Sequence, residues 1–462
     1  MHRSLVVLSL ALAGILSACA SPPIPPGSVP GGAVPQVRTL PLSVPPADTN
    51  GSDWPEFRRD DQRTGLNNYQ TAITKANVAT LAPKWTHTTP GVFSSAIVKN
   101  GVVYQADRGG DLYAWNVTNG TQRWAFKGSG MFQASPYYYT TTNTLYVGEM
   151  AGSTSPARLY SINATTGTAN WSYTIANGAQ IAASPMVAGG LVYQGTDDKN
   201  ENLNECDANH QLIAVKTSGP TLVSALNLSP PGLEGADIWS SPMLDPSGNL
   251  YVATGNECTT NTVPFQYANS IIRVNPTKPA MGVTWSFQSL NGPGLDEDFG
   301  GTPIYVNNMI VETGKDGYTY ALNPSTGAMI WHTQTGAAIG SSGTDGTRLF
   351  IPTEIPKCAV GAPCGAFMAV NLSDGSIAWS IPVTQGKFLF SELSAPAVSN
   401  GMVFTAFNGS IWALDAATGS TLWSYPTPNS TVFAAPTIVN GGLLVGEFPK
   451  GGTFFCFTPG GK

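Results

Sequence analysis

The chain has 462 residues and a formal net charge of −6, with Asp, Glu, Lys and Arg making up only 11% of it. No cluster of Lys or Arg breaks that pattern, so the electrostatic footprint that a phosphate backbone requires is missing and nucleic acid is not an expected partner. Abundant Gly, Pro and Trp (51, 36 and 11 residues) favour strands and turns over helices, and almost no helix is expected.

The N-terminus carries His2 and Arg3, an apolar run from Leu5 to Leu16, and then Leu16-Ser17-Ala18-Cys19. A charged start, a short apolar core and small residues before a cut describe an export signal, and the run is too short to span a bilayer comfortably. Residues 1–18 are expected to be removed. The four residues ending in Cys19 resemble the lipobox of bacterial lipoproteins, which implies cleavage before Cys19 and a lipid on its sulfur. Several acyl chains together anchor firmly where one does not. Ala20 follows the cysteine, and the same resemblance then implies the periplasmic face of the outer membrane. Residues 19–52 are rich in Pro, from Pro22 to Pro46, with hardly any apolar bulk. They read as an extended tether.

A leader occupies residues 53–82, and from Ser94 onward one pattern recurs eight times. Each repeat has a short apolar strand, a Gly-led strand, a third strand, a Thr-Gly turn and a strand carrying Trp. The third strands, from Leu112 to Asn116 in the first repeat to Phe454 to Thr458 in the eighth, alternate with period two as half-buried strands do. Gly120, Gly167, Gly219, Gly327, Gly375 and Gly419 follow at nearly constant offset, where a tight turn demands positive φ. Fourth strands carry Trp124, Trp171, Trp285, Trp331, Trp379 and Trp423, with a run around Leu226 in the third repeat. The eighth repeat reaches Lys462 before a fourth strand can form, and Pro83-Lys84-Trp85-Thr86-His87 has the right character to supply it. Recurrence at about 40 to 60 residues predicts an all-β, eight-bladed propeller of four-stranded antiparallel blades over residues 83–462, closed by an N-terminal strand that completes the last blade. The repeated Trp rings are expected to pack between blades.

Among the cysteines, Cys358 and Cys364 bracket one loop and favour a local disulfide in an exported protein. Cys206 and Cys258 lie in insertions of neighbouring repeats and could bridge. Cys456 is expected to be a buried small hydrophobe. No Cys-x-x-Cys-His occurs, so no c-type haem is attached to this chain.

The leader Asp53-Trp54-Pro55-Glu56-Phe57-Arg58-Arg59-Asp60 and the unit Ala-x-Asp/Asn-x-x-Thr-Gly-x-x-x-Trp resemble the family of propellers built from pyrroloquinoline quinone (PQQ)-like repeats. Repeats three to five depart most from the regular pattern, and their departures resemble the sites of quinoprotein dehydrogenases. Ile238-Trp239-Ser240-Ser241-Pro242 is similar to the segment that puts a Trp beneath the quinone, and Ala253-Thr254-Gly255-Asn256 to the one supplying an Asn ligand of calcium. Lys315 stands where a basic residue contacts the quinone oxygens. Asp298, or Asp296, stands where that family places its catalytic carboxylate, and Glu201 falls near its calcium-ligating Glu. The closest resemblance is to the subgroup similar to polyvinyl-alcohol dehydrogenase. It implies PQQ and calcium as cofactors, a small-molecule or polymeric alcohol as substrate, and a separate electron acceptor.

The chemistry is coherent on its own terms. A tricarboxylate quinone needs positive charge, which Lys315 and a bound Ca²⁺ would supply, and Ca²⁺ takes carboxylate and amide oxygens such as those of Glu201 and Asn256. Against this stands a second resemblance, to the propeller lipoprotein of the outer-membrane barrel assembly machinery. That role works through exposed loops and strand edges that meet envelope proteins, and uses none of these residues. In either case the chain is expected to be a monomer. It lacks the adjacent Cys-Cys pair that many quinoprotein alcohol dehydrogenases carry over the cofactor.

Overall fold

Each repeat folds as one four-stranded antiparallel sheet, and eight such sheets form the blades of a propeller. The structure, a computed structural model, describes residues 51–152, 155–176, 178–197, 210–258, 261, 264–276, 280–290, 297–354, 363–384, 394–427 and 431–462. The export signal, Cys19, the tether to residue 50, Glu201, Cys206, Asp296 and Cys358 lie outside the described residues, as does the side chain of Cys364. Blade 1 shows the plan, with Ile97–Lys99 innermost, then Val102–Ala106, Asp111–Asn116 and Gln122–Lys127. Burial follows that order. The two inner strands are buried along their whole length, whereas the outer strand alternates between exposed and half-buried residues. Among the described residues the helical content is one short 3₁₀ turn, Val78–Thr80.

The last blade closes as the sequence predicts. Leu81–Thr89 pairs antiparallel with Gly452–Pro459, Trp85 opposite Cys456, and completes the sheet begun by Thr437–Val439 and Gly442–Gly446. Leu81–Thr89 covers the edge of Gly452–Pro459 and becomes the outermost strand of blade 8, giving it the four strands of the other blades.

The Trp repeat links blades rather than filling them. Trp85 Nε1 donates to Val117 O of blade 1 at 2.9 Å, Trp124 to Ala164 O of blade 2 at 3.1 Å, and Trp423 to Leu81 O of the closing strand at 3.0 Å. The indoles of Trp85, Trp124, Trp285, Trp331 and Trp379 each lie against the Gly of the turn in the next blade. A Cβ at Gly167 (φ 73°) would meet Trp124 at 2.6 Å, so both the left-handed φ and the contact require glycine there. Blade 3 lacks this device: in the run around Leu226, Ser224 stands at the Trp position opposite Ala214, and the following blade carries no matching Gly turn among its described residues. Cys258, which leaves the second strand of blade 4, is buried and disulfide-bonded, while Cys456 is a buried free thiol that burial pushes up to about 12.

The leader runs round one end of the ring, touching the blades in turn. Trp54 exchanges backbone hydrogen bonds with Val98 of blade 1, Pro55 O accepts from Tyr138 N of blade 2, and Asp61 O accepts from Leu244 N of blade 4. Gln62 O, Thr64 O and Gly65 O then accept from Tyr305, Thr344 and Val398 of blades 5, 6 and 7, and Asn67 Nδ2 donates to Ile438 O of blade 8. Blade 3 is reached by Arg63, whose Nη2 donates to Pro185 O at 3.2 Å. Arg58 and Arg63 both adopt φ near 59° and are fully buried, a strained backbone held by the bonds around it. The contacts gather towards the C-terminal ends of the innermost strands, so the leader closes that mouth of the channel.

Candidate functional site at the opposite mouth

Strand direction gathers the residues singled out in repeats four and five at one place. Trp239 and Asp298 precede the innermost strands of blades 4 and 5, Met243–Leu244 and Ile304–Val306. Asn256 and Lys315 follow the second strands, Leu250–Ala253 and Met309–Thr313. Because the pairs are antiparallel, all four positions fall at the same end of the sheets, away from the leader.

Three of the side chains meet. Lys315 Nζ lies 2.8 Å from Asp298 Oδ1, Trp239 Nε1 donates to Asp298 Oδ2 at 3.2 Å, and the Lys315 ammonium stands 5.0 Å from the centroid of the Trp239 ring. Asp298 is 1% exposed and Lys315 16%, so the carboxylate is buried and reached through the lysine side. Desolvation at such depth makes the charge-assisted contacts stronger than at a surface.

The backbone fixes this geometry from both blades. Phe299 N donates to Thr254 O at 3.4 Å, Glu297 N to the Asn256 side chain at 3.1 Å, and Lys315 N to Asp298 O at 2.8 Å. Asn256 therefore holds the segment that carries Asp298, and its side-chain oxygen is already an acceptor. Gly300 is required by contact, since a Cβ there would lie 2.6 Å from Trp239 Cη2. Around the cluster, burial pushes the Asp316 carboxyl up, and Tyr320 donates its hydroxyl to that carboxylate. Burial also raises Glu297, with the charge of Asp316 adding to it.

Trp239 also borders a cavity of about 230 Å³ in the channel. Phe57 of the leader, Phe93 and Phe433 give it an aromatic lining, and a ring of hydroxyls runs around it. The ring is built by head-to-tail bonds. Ala435 N donates to Ser95 Oγ, Ser95 N to Ser135 Oγ, Ser135 N to Ser184 Oγ, Ser184 N to Ser241 Oγ, Ser241 N to Thr302 Oγ1 and Thr302 N to Ser341 Oγ, each at 2.8–3.0 Å. This ring was not among the expected features. Its signal is a Ser, Thr or Ala before Pro at the start of most blades, as in Ser135-Pro136, Ser184-Pro185, Ser241-Pro242 and Thr302-Pro303.

The family described as outer membrane protein assembly factor BamB matches residues 61–263, 132–348, 222–432 and 315–462, which together span the propeller. The chain belongs to this PQQ-like repeat family. Within and around the family the likeness runs two ways. Polyvinylalcohol dehydrogenase of a Pseudomonas species is 24% identical over 449 residues, covering 82% of this chain and 68% of that protein. Outer membrane protein assembly factor BamB of Legionella pneumophila is 28% identical over 151 residues, covering 32% of this chain and 37% of that protein. Quinohemoprotein alcohol dehydrogenase from Comamonas testosteroni superposes with a TM-score of 0.72 at 17% identity, covering 90% of this chain and 81% of that one, a likeness of fold. The repeat family's propeller thus resembles quinoprotein alcohol dehydrogenases and BamB alike.

Proposed function

We propose that the cluster of Trp239, Asp298 and Lys315 is the active site of a quinoprotein dehydrogenase that oxidises an alcohol. The observation that carries this reading is the ion pair of Lys315 with Asp298 against the face and N–H of Trp239, made by residues from two blades at the mouth opposite the leader. A plain packing role gives no reason to bury a carboxylate there.

The residues fit a flat, anionic quinone. Trp239 offers an aromatic face beside the cavity, and Lys315 offers a cation above that face. The fit to calcium is partial. Ca²⁺ takes six to eight oxygens, Asn256 and Asp298 are the donors of the cluster, and no three Asp, Glu, His or Cys side chains converge among the described residues. Glu201, the further ligand implied by resemblance, lies outside them, so no step below is derived through the ion.

When bound, the quinone supplies the two-electron acceptor for a hydride from the carbinol carbon. Asp298 takes the hydroxyl proton of the alcohol. Lys315 favours the ionised form of that carboxylate, and the Trp239 N–H fixes its second oxygen. Asn256 holds the backbone of the base in register through Glu297 N. Electrons then leave to a separate acceptor. Asp296 is the second candidate for the base.

The test is to add PQQ and Ca²⁺ to the purified, unlipidated protein and follow binding, thermal stability and alcohol-dependent dye reduction. Binding with a raised Tm and dye reduction is expected, and Lys315→Ala should weaken binding. Loss of all three responses in the native chain overturns the reading.

A second reading, an envelope interaction protein like the BamB relatives, is favoured by apolar side chains exposed on outer strands, among them Met329 and Ile330 of blade 5 and Ile377 of blade 6. Both readings suit an exported protein anchored through a lipid on Cys19, with the Pro-rich tether holding the propeller away from the membrane.

A further inference from the structure

Glu312 is an acid where three other blades bury a donor. It is the fourth residue of Met309–Thr313 in blade 5 and fully buried, and its carboxylate oxygens have no well-formed hydrogen bond, only the weak pull of the adjacent Thr313 amide. The same register position in blades 1 and 3 is a glutamine. Gln105 Nε2 donates to Ser94 O at 3.0 Å and Ala106 O at 2.6 Å, and Gln194 Nε2 donates to Ala183 O at 2.8 Å and Gly195 O at 2.9 Å. In blade 7, Thr405 Oγ1 donates to Ser394 O at 2.7 Å. Ser94, Ala183, Ser394 and, in blade 5, Gly301 all stand one residue before the residue at the hydroxyl-ring position.

In blades 1, 3 and 7 the position meets these backbone carbonyls with a donor, whereas Val147, Val252, Ile351 and Val445 fill it with apolar side chains in blades 2, 4, 6 and 8; a polar side chain buried there needs a hydrogen to give. A glutamine or threonine brings one; a carboxylate brings none unless protonated. Gly301 completes the argument from shape, because a Cβ there would lie 2.2 Å from Glu312 Oε1. The carboxyl lies over the bare backbone of Gly301, where blades 1 and 3 carry Ser94 and Ala183.

We propose that Glu312 is held as a neutral carboxylic acid that donates its one O–H to the backbone carbonyl of Gly301, and so positions the segment from Asp298 to Thr302. The inference does not rest on the dehydrogenase reading, since it concerns the protonation of a group that touches neither substrate nor cofactor. Burial pushes the Glu312 carboxyl up to about 8, against smaller opposing pulls from the Thr313 amide and the Arg58 charge. Arg58, from the leader, is itself pushed down to about 9 by burial and stays a cation over most of the range in which Glu312 titrates. Tyr320, opposite Glu312 in the neighbouring strand, gives its hydroxyl to Asp316, and the segment Phe299–Thr302 carries no charge.

The sign of the pH effect follows. Unfolded chain gives up this proton near 4.5 and folded chain near 8, so between those values the native state binds more protons and stability falls as the pH rises. Glu312→Gln places the Gln105 and Gln194 side chain in the same position and cannot ionise. Thermal melts of the purified chain and of Glu312→Gln should coincide near pH 4.5 and separate towards pH 8, with the glutamine variant the higher. The same pH slope in both proteins overturns the proposal, as does a variant that melts well below the native chain at every pH. Should the variant fail to fold, infrared spectra of the native chain decide. The carbonyl stretch of a protonated carboxylic acid should be present below about pH 8 and vanish above it, and its absence throughout overturns the assignment.

Discussion

The two mouths of the channel use charge in opposite ways. At the leader mouth, Arg63 is fully buried and spends its donors on closure, with Nη1 on Glu56 Oε2 and Phe57 O, both at 2.7 Å, Nε on Pro242 O at 3.0 Å and Nη2 on Pro185 O. At the other mouth Lys315 remains partly exposed and, among the described residues, meets the Asp298 carboxylate over the face of Trp239. A guanidinium with five fixed donors suits a knot of backbone carbonyls, and an ammonium on a flexible stem suits a group that must rearrange when a ligand arrives. The difference separates a residue that closes the ring from the cluster proposed above as the active site.

Removing Arg63 should break the comparison on the closed side. Arg63→Ala strands Glu56 and leaves carbonyls of the leader and of blades 3 and 4 unpaired, a change expected to cost about 3–5 kcal/mol. Urea unfolding at constant slope measures it. A loss below about 1 kcal/mol would mean that the leader lies on the ring without holding it.

On the open side, Asp298→Asn should spare the fold and remove the function. Lys315 loses a buried anion but keeps contact with water, and the isosteric amide keeps the site filled, so a stability loss of about 1.5–3 kcal/mol with a folded chain is expected. Turnover of an alcohol should fall by about 10²–10⁴, the usual worth of a positioned base, while quinone binding is retained. Equal turnover in the variant would move the base elsewhere, Asp296 being the next candidate.

Legibility differs between the two mouths for a physical reason. The propeller, its eight blades and the closing Trp85 strand were readable because a repeat shows its own period, and each strand declares its face by alternation. Trp239, Asn256, Asp298 and Lys315 stand out because they interrupt that period within two blades, and the fold brings Trp239, Asp298 and Lys315 into contact; their roles are those proposed above. The path of the leader was not readable, since Arg58 and Arg63 bond to backbone carbonyls, which carry no side-chain signature. The hydroxyl ring was hidden for the converse reason. Ser before Pro is ordinary turn chemistry one blade at a time, and its meaning appears only when the blades stand side by side.

A weaker test of the closed mouth uses pH. Asp61, between Arg63 and Tyr137, is pushed up from 3.8 to about 6, first by burial. Its folded form holds the proton longer than the unfolded form, so the stability it contributes is complete below about 4 and is lost as the pH rises through 6. The difference of about two pH units sets an upper bound of about 3 kcal/mol. Asp61→Asn should remove part of the slope between about pH 4 and 6, where Glu312 also contributes, and leave the slope from about 6 to 8 in place. Effects that add in the double variant would show that the leader and blade 5 titrate independently.

The smallest expected effect lies between the mouths, where the hydroxyl ring is open. Six hydroxyls accept from the preceding blade, and the run ends at Ser341 because blades 7 and 8 carry Ala395 and Ala435 at the matching positions. Ala395→Ser puts an Oγ where Ser341 N–H can reach it, and the new hydroxyl faces the cavity, so its own hydrogen has room to find water. A neutral hydrogen bond of this kind contributes about 0.5–1.5 kcal/mol. Removing an existing member, as in Ser135→Ala, should cost a similar amount by stranding Ser95 N–H. A rise in Tm for the first and a fall for the second would mark the ring as a belt that holds the inner strands at fixed spacing. A fall for Ala395→Ser would instead mean that the gap in the ring is closely packed, with Ala395 chosen for its size.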